Sequence, residues 1–394
     1  MKTLLISSVF PPQDGGSGRW FWEIYRRLPR SEYHVVTGTH PRAAEFDATH
    51  DLNLTRIPFS LSTWGTSSVA GLGGYWRLWK HIRQIVRQHS IERIHCGACL
   101  PDGWIAFLCR RFLKIPYVCY MHGEELCYAG ASRELGWMSR RVLGNADFII
   151  ANSINTENIL RDRWGVPPSQ IRRLSPGVDT RWFCPAPRNP GVRETLGWGE
   201  RLVILTVGRL QKRKGHEQFI RALPAISRHF PRVLYVIAGQ GEQYTALQSL
   251  VDELDLRQFV RFMGSVSEEC LLQCYQQCDL FVLPNRQIGY DVEGFGMVLI
   301  EAQACSRAVI AGVTGGTTET MQVPQTGLLI DPDDSNEMVE TIIKLLDEPR
   351  ELHRMGEAGR RWVKEQFDWE QLARQAYATF ENIAPEGSPV LVNG

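Results

Sequence analysis

Short apolar runs of strand length recur along this chain with amphipathic stretches between them, and they form two series. The first is Thr3 to Ser8, His34 to Thr37, Arg93 to His95, Tyr117 to Met121 and Phe148 to Ala151. The second is Val203 to Val207, Leu234 to Ala238, Val260 to Phe262, Leu280 to Leu283 and Val309 to Ala311. Strands that are apolar throughout are buried on both faces, and strands joined through helices return parallel. The pattern predicts an α/β chain of two Rossmann-like domains, each a parallel sheet wrapped by helices. Pro185 to Pro190, with three prolines in six residues, is the best linker between them.

Several architectures are excluded. No repeat of 20 to 50 residues marks a solenoid, and no uncharged apolar run is long enough for a membrane span. MKTLLISSVFPP reads as a first buried strand rather than a signal peptide, because Pro11-Pro12 and a glycine cluster follow it with no small-residue cleavage pattern. Ten cysteines in 394 residues make no disulfide framework, so the expected compartment is the reducing cytoplasm. Cys96 and Cys99 form a lone C-x-x-C with no second pair at metal-site spacing. Cys270, Cys274 and Cys278 repeat every four residues and read as buried small apolar residues on one helix face.

The net charge of +1 hides an asymmetry: residues 1–185 hold 23 Lys and Arg against 15 Asp and Glu, and residues 186–394 hold 21 against 28. A basic first half suits an anionic membrane or a phosphorylated acceptor, and is not basic enough to point to nucleic acid. Within residues 60–89, Trp64, Trp76 and Trp79 interleave with Arg77, Lys80, Arg83 and Arg87. That stretch has two readings: an interfacial helix resting on anionic headgroups, possible as a peripheral membrane contact, or a surface helix whose aromatics face the sheet.

Ligand chemistry gathers at predicted strand ends. Gly15, Gly16 and Gly18 follow the first strand and precede a helix near Arg19, where backbone N–H groups can approach a phosphate. His122, in His122-Gly123-Glu124-Glu125, lies just past another strand. Gly208 to Gly215 packs four cations, Arg209, Lys212, Arg213 and Lys214, into six residues before a helix near His216, a plausible diphosphate clamp. The next strand ends in Ala238-Gly239-Gln240-Gly241. Glu293 and Glu301 then flank Gly294-Phe295-Gly296 and the start of an apolar helix, so a carboxylate stands beside a helix-end anion site. Neither glycine-rich turn gives G-x-G-x-x-G in register with a later acidic residue, which disfavours a nicotinamide cofactor. Asp331-Pro332-Asp333-Asp334, which follows a short strand, reads as a turn and not as a D-x-D metal site.

In this order and context the motifs resemble the retaining glycosyltransferases of the GT-B type, family 4, also described as glycosyl transferases group 1. HGEE, SPGVD, GRLQKRKG, VEGFGMVLIEAQA, GGTTE and the closing Phe367-Asp368-Trp369 cover nearly the whole chain. The Arg209/Lys214 pair and the E-x7-E of Glu293 and Glu301 in its EGFG setting are specific; the glycine loops are not. EAQA followed by VIAG is especially similar to the phosphatidylinositol mannosyltransferase branch. Ser306-Arg307 departs from the family's usual Gly-x-Pro, at a turn.

The resemblance implies two domains facing a cleft: residues 1–185 with about 368–394 on the acceptor side, the closing helix crossing back, and residues 186–367 on the donor side. It implies that His122, Glu293, Arg209 and Lys214 serve catalysis. Gly16, Gly208, Arg209, Lys214, Gly239, Phe295, Gly296, Met297, Val298 and Glu301 would bind the donor, Glu301 at its ribose and Glu293 at its sugar. No cofactor or metal is implied beyond the nucleotide-diphosphate sugar itself. The expected activity moves mannose from GDP-mannose to a lipid-linked or saccharide acceptor. A UDP-sugar donor and a non-catalytic nucleotide-sugar-binding protein are the alternatives. The expected location is cytoplasmic, with peripheral contact at the inner face of the membrane.

Overall fold

The computed structural model describes residues 1–381 apart from Asp14, Ser60 and Ser62; residues 382–394 of the closing segment expected on the acceptor side lie outside the described residues. Seven strands form the first sheet: β1 (Thr3–Ile6), β2 (Tyr33–Gly38), β3 (Leu54–Ile57), β4 (Arg93–Cys96), β5 (Tyr117–Met121), β6 (Phe148–Ala151) and β7 (Ile171–Arg173). They lie in the order β3-β2-β1-β4-β5-β6-β7, all parallel. Six more form the second: β8 (Leu202–Val207), β9 (Val233–Ala238), β10 (Val260–Gly264), β11 (Leu280–Leu283), β12 (Val309–Gly312) and β13 (Gly327–Ile330). Their order is β10-β9-β8-β11-β12-β13, again parallel. Each order reverses once, between β1 and β4 and between β8 and β11. Loops at those points splay apart and leave a crevice at the carboxyl ends of the strands.

The expected strands are present, β13 being the short strand expected before Asp331, and the two that the apolar pattern missed, β3 and β7, are edges. β3 (Leu-Thr-Arg-Ile) and β7 (Ile-Arg-Arg) are short and half polar because each has a neighbour on one side only. Central strands are sealed from solvent on both faces: Leu4, Leu5, Ile6, Val118, Cys119, Tyr120, Val203, Ile204 and Leu205 are all at 0% exposure. Among the described residues no helix is long and apolar enough to cross a membrane.

The closing helix, Trp369–Glu381, buries Trp369, Leu372, Ala373, Ala376 and Phe380. Their spacing of three and four residues draws one apolar stripe, which packs on Trp20, Tyr25 and Tyr33 of the first domain. To get there the chain crosses between domains a second time, directly beside the first crossing. Val178 pairs with Asp368 in a parallel bridge: Val178 N–H donates to Phe367 O at 2.8 Å, and Trp369 N–H to Val178 O at 3.4 Å. Gly177 permits this approach, since a Cβ there would sit 2.5 Å from Phe367 O.

Candidate active site

After β8 the chain runs through Gly208 and Arg209 into a short 3-10 turn, Lys212–Lys214, ahead of the helix His216–His229. The turn buries Arg213 and Lys214, 3% and 7% exposed, and aims both at Glu293. Lys214 Nζ lies 2.6 Å from Glu293 Oε2, and Arg213 Nη1 donates to the same oxygen. Burial alone would push the Glu293 carboxyl up; the adjacent Lys214 and Arg213 outweigh it and hold the group below its ordinary value. Gly208 backs onto the Lys214 side chain, and Gly239 onto the Gly208 carbonyl.

Glu301 lies one helical stretch further on, in Met297–Ala304, a helix that begins after Gly296 at φ +93°. It is 5% exposed. Its Oε2 accepts from Tyr275 Oη at 2.8 Å, and its Oε1 lies 3.5 Å from Arg19 Nη1 of the first domain. Burial dominates here and pushes the Glu301 carboxyl up, against the pull of Arg19 and Tyr275. Phe295 is buried against Phe367, and Met297 and Val298 are half-buried at the cleft.

The first domain meets this surface with three loops. Gly16 opens the helix Gly16–Tyr25 so close to Met297 that a Cβ on it would lie 3.4 Å from the thioether sulfur. His122 follows β5, with its Nε2 2.7 Å from Gly97 O and its ring edge-on to Trp20 and Phe21. The His122 carbonyl faces Gly294, where a Cβ would sit 2.3 Å from it; the HGEE and EGFG loops thus touch backbone to backbone, and only glycine fits at 294. Glu319, of the GGTTE loop, reaches the other way. It accepts from Ile154 and Asn155 N–H at 2.7 and 3.0 Å, at the start of the first-domain helix Ile154–Trp164.

The structure therefore gathers His122, Gly16, Gly208, Lys214, Gly239, Glu293, Phe295 to Val298 and Glu301 around one crevice. Arg209 stands at the rim of the same crevice: it is exposed, and its guanidinium lies 3.8 Å from Glu124 of the first domain, the carboxylate that Arg213 also holds. Sequence reasoning counted Arg213 only among the four clamp cations and assigned no role to Glu124, Arg19, Tyr275 or Glu319. All but Tyr275 stand inside or beside quoted motifs; what was missing was the partner, which is brought in by tertiary structure.

Three other expectations have structural outcomes. Asp331 to Asp334 is a turn: Asp333 pairs with Arg286 at 2.7 Å, and Asp334 accepts from Asn336 and Glu337 N–H at the start of the helix Ser335–Leu346. Cys96 and Cys99 are buried thiols, and of the four-residue cysteine repeat only Cys274 and Cys278 are buried. Cys270, in the exposed first turn of Glu268–Gln277, is half-buried. Trp79 packs against the first-domain core while Trp76, 57% exposed, stacks on it from outside at 5.4 Å, so the helix Val69–Gln88 has one Trp on each side.

Comparison with known proteins resolves the family. Residues 14–182 match the family described as Glycosyltransferase Family 4 and residues 192–362 match Glycosyl transferases group 1. A GDP-mannose-dependent alpha-(1-6)-phosphatidylinositol monomannoside mannosyltransferase of Mycolicibacterium smegmatis is 31% identical over 93% of this chain and 94% of its own length. The chain belongs to the group 1 glycosyltransferases. A Corynebacterium glutamicum enzyme, a GDP-mannose-dependent monoacylated alpha-(1-6)-phosphatidylinositol monomannoside mannosyltransferase, is 29% identical over 94% of this chain and 95% of its own. Among solved structures, Anabaena HepE in complex with UDP-glucose superposes with a TM-score of 0.82 at 19% identity, covering 97% of this glycosyltransferase and 100% of HepE. The sucrose-phosphate synthase of Thermosynechococcus elongatus gives 0.81 at 24% identity, covering 97% and 99%. These likenesses identify the two facing sheets as the GT-B fold and the protein as a hexosyltransferase.

Proposed function

We propose that this glycosyltransferase moves mannose from GDP-mannose to a lipid-linked or saccharide acceptor, with retention of the anomeric configuration and without a bound metal. The observation that carries the donor assignment is the named donor of relatives about 30% identical over more than nine-tenths of the chain. The geometry supports the chemistry. Arg209 and Lys214 would neutralise the donor diphosphate, the first turn of Met297–Ala304 would offer its N–H groups to sugar and phosphate, and Glu293 would hold sugar hydroxyls. Glu301 would take the ribose, and His122 would lie beside the anomeric centre opposite Gly16. With cations and a helix end facing it, a nucleoside diphosphate leaves as a stabilised anion and needs no general acid.

The acceptor would lie on the first domain, whose exposed Trp64, Trp76, Phe112 and Trp137 sit among Lys80, Arg83, Arg111 and Arg141. This face would rest on an anionic membrane from the cytoplasmic side; salt-sensitive sedimentation with anionic vesicles is expected, and no binding at low salt removes the idea. The donor is tested by thermal shift. GDP-mannose should raise the melting temperature more than UDP-glucose, UDP-galactose or UDP-N-acetylglucosamine at equal concentration, because only a ligand that binds the folded state stabilises it. A larger shift with a UDP-sugar would reassign the donor.

A further inference from the structure

Arg213 lies within the expected clamp, between Arg209 and Lys214 in the sequence, is 3% exposed, and touches carboxylates of both domains. Its Nη1 donates to Glu293 and its Nη2 to Glu124, while its Nε lies 3.3 Å from Asp291 Oδ1. Three nitrogens face three carboxylates, an arrangement that a planar guanidinium can serve and a single ammonium cannot. Lys214 sits on the same Glu293 oxygen that Arg213 holds. Two cations on one buried oxygen are redundant if Lys214 serves Glu293 alone. They have a use if Lys214 must turn away.

The charge count makes the point sharper. Around Glu293 stand Arg213 and Lys214 from the 212–214 turn, Asp291 on its own loop, Glu124 from the HGEE loop and Arg209 beyond β8, while the His122 ring is bound to Gly97 O. Three cations thus face three carboxylates before any ligand enters. An incoming diphosphate draws on Lys214, and a buried carboxylate stripped of its counter-ion is strongly destabilised.

We propose that Arg213 is a positioning residue: it stays on Glu293 as the remaining counter-ion when Lys214 turns to the diphosphate, and through Glu124 it ties that arrangement to the closed cleft. The proposal rests on the donor-site reading above, in which Lys214 meets the diphosphate. Burial opposes the charge on Arg213, but Glu293, Glu124 and Asp291 together hold it above its ordinary value, so it remains a cation throughout.

Arg213→Gln and Arg213→Lys test this by two readouts. The first needs no substrate: a carbon-13 carboxyl titration of Glu293, assigned with Glu293→Gln. Its midpoint should rise by about one pH unit or more in Arg213→Gln and return towards wild type in Arg213→Lys. The second is turnover, where Arg213→Gln should lose about a hundredfold, chiefly in kcat, with the acid limb of the pH profile moving up alongside the carboxyl midpoint. Arg213→Lys should recover the limb but only part of the rate. An unmoved midpoint, or turnover within about threefold of wild type, overturns the proposal. If Arg213→Gln fails to fold, Arg213→Lys decides, and full activity in it overturns the three-carboxylate role. Wild-type protein that binds no nucleotide-sugar would refute the donor reading, while the carboxyl titration would still report on Arg213.

Discussion

The two domains place a glycine-containing turn at the same point, between the first central strand and the helix after it, and fill it differently. After β1 come Gly15, Gly16 and Gly18 with one cation, Arg19, which turns across the cleft to Glu301. After β8 come four cations, two of them buried on Glu293. The carboxylates behind the turns diverge accordingly. Glu293 has two cations on one oxygen and is held low. Asp102, at 0% exposure behind the β1 turn, is met by hydrogen bonds rather than by cations: Ser8 N–H donates to its Oδ2 at 3.2 Å, and the Ser8 side chain adds to it. Burial pushes it up to about 7. The turn after β1 contributes shape, backbone and a single cation to the cleft and the turn after β8 contributes clustered cations, so substitutions should divide along the same line.

The largest effect belongs to the charged mouth. Arg209→Ala or Lys214→Ala should each cut turnover by about a hundredfold or more, as removal of a charge contact to a developing anion does; near-wild-type rates in steady-state assays would dissolve the contrast between the mouths. Glu319→Ala should act more mildly. It removes a carboxylate that the second domain lends to a first-domain helix start, an interaction of about 1 kcal/mol, so donor KM should rise about fivefold with kcat nearly kept. A loss confined to kcat would place Glu319 in the chemistry instead.

The glycine-lined mouth should show in stability. The folded-state value of Asp102 is raised, so its contribution is fully present below the unfolded carboxyl value near 3.8 and is lost as pH rises through about 7. Asp102→Asn does not titrate. Its melting temperature should therefore gain on wild type by about 3 °C or more between about pH 5 and about pH 8. A pH-independent gap would mean that Asp102 has a counter-charge after all. The smallest expected effect is none: EDTA should leave turnover unchanged, because Asp333 and Asp334 are already committed to Arg286 and to a helix start. Abolished activity would reopen Asp331 to Asp334 as a metal site.

Most of the fold was legible because central parallel strands must be apolar on both faces, and Leu5, Tyr120 or Ile204 advertise that without reference to neighbours. The edges were not: β7, Ile-Arg-Arg, has the composition of a loop and becomes a strand only because β6 offers it a partner. In the cleft, glycines and clustered cations marked the mouths, since their backbone freedom and charge are local properties. The bonds that join the mouths were hidden. Arg19 and Glu301 are 282 residues apart, Ile154 and Glu319 165, and Arg213 and Glu124 89. A reading by motif takes Arg209 and Lys214 and passes over Arg213 between them, because its importance lies in partners that no spacing rule connects.

The paired crossings at Val178 and Asp368 have a mechanical consequence. Two connecting strands bonded side by side form a strap rather than a string. Sliding one past the other would break the Val178 to Phe367 and Trp369 to Val178 hydrogen bonds together, whereas flexing both at once breaks neither. The easy motion between the domains is then rotation about an axis across the strap, with twist and shear resisted. Each swing brings the same loops face to face, and Lys214, Glu293 and Gly16 return to register without having to search for it.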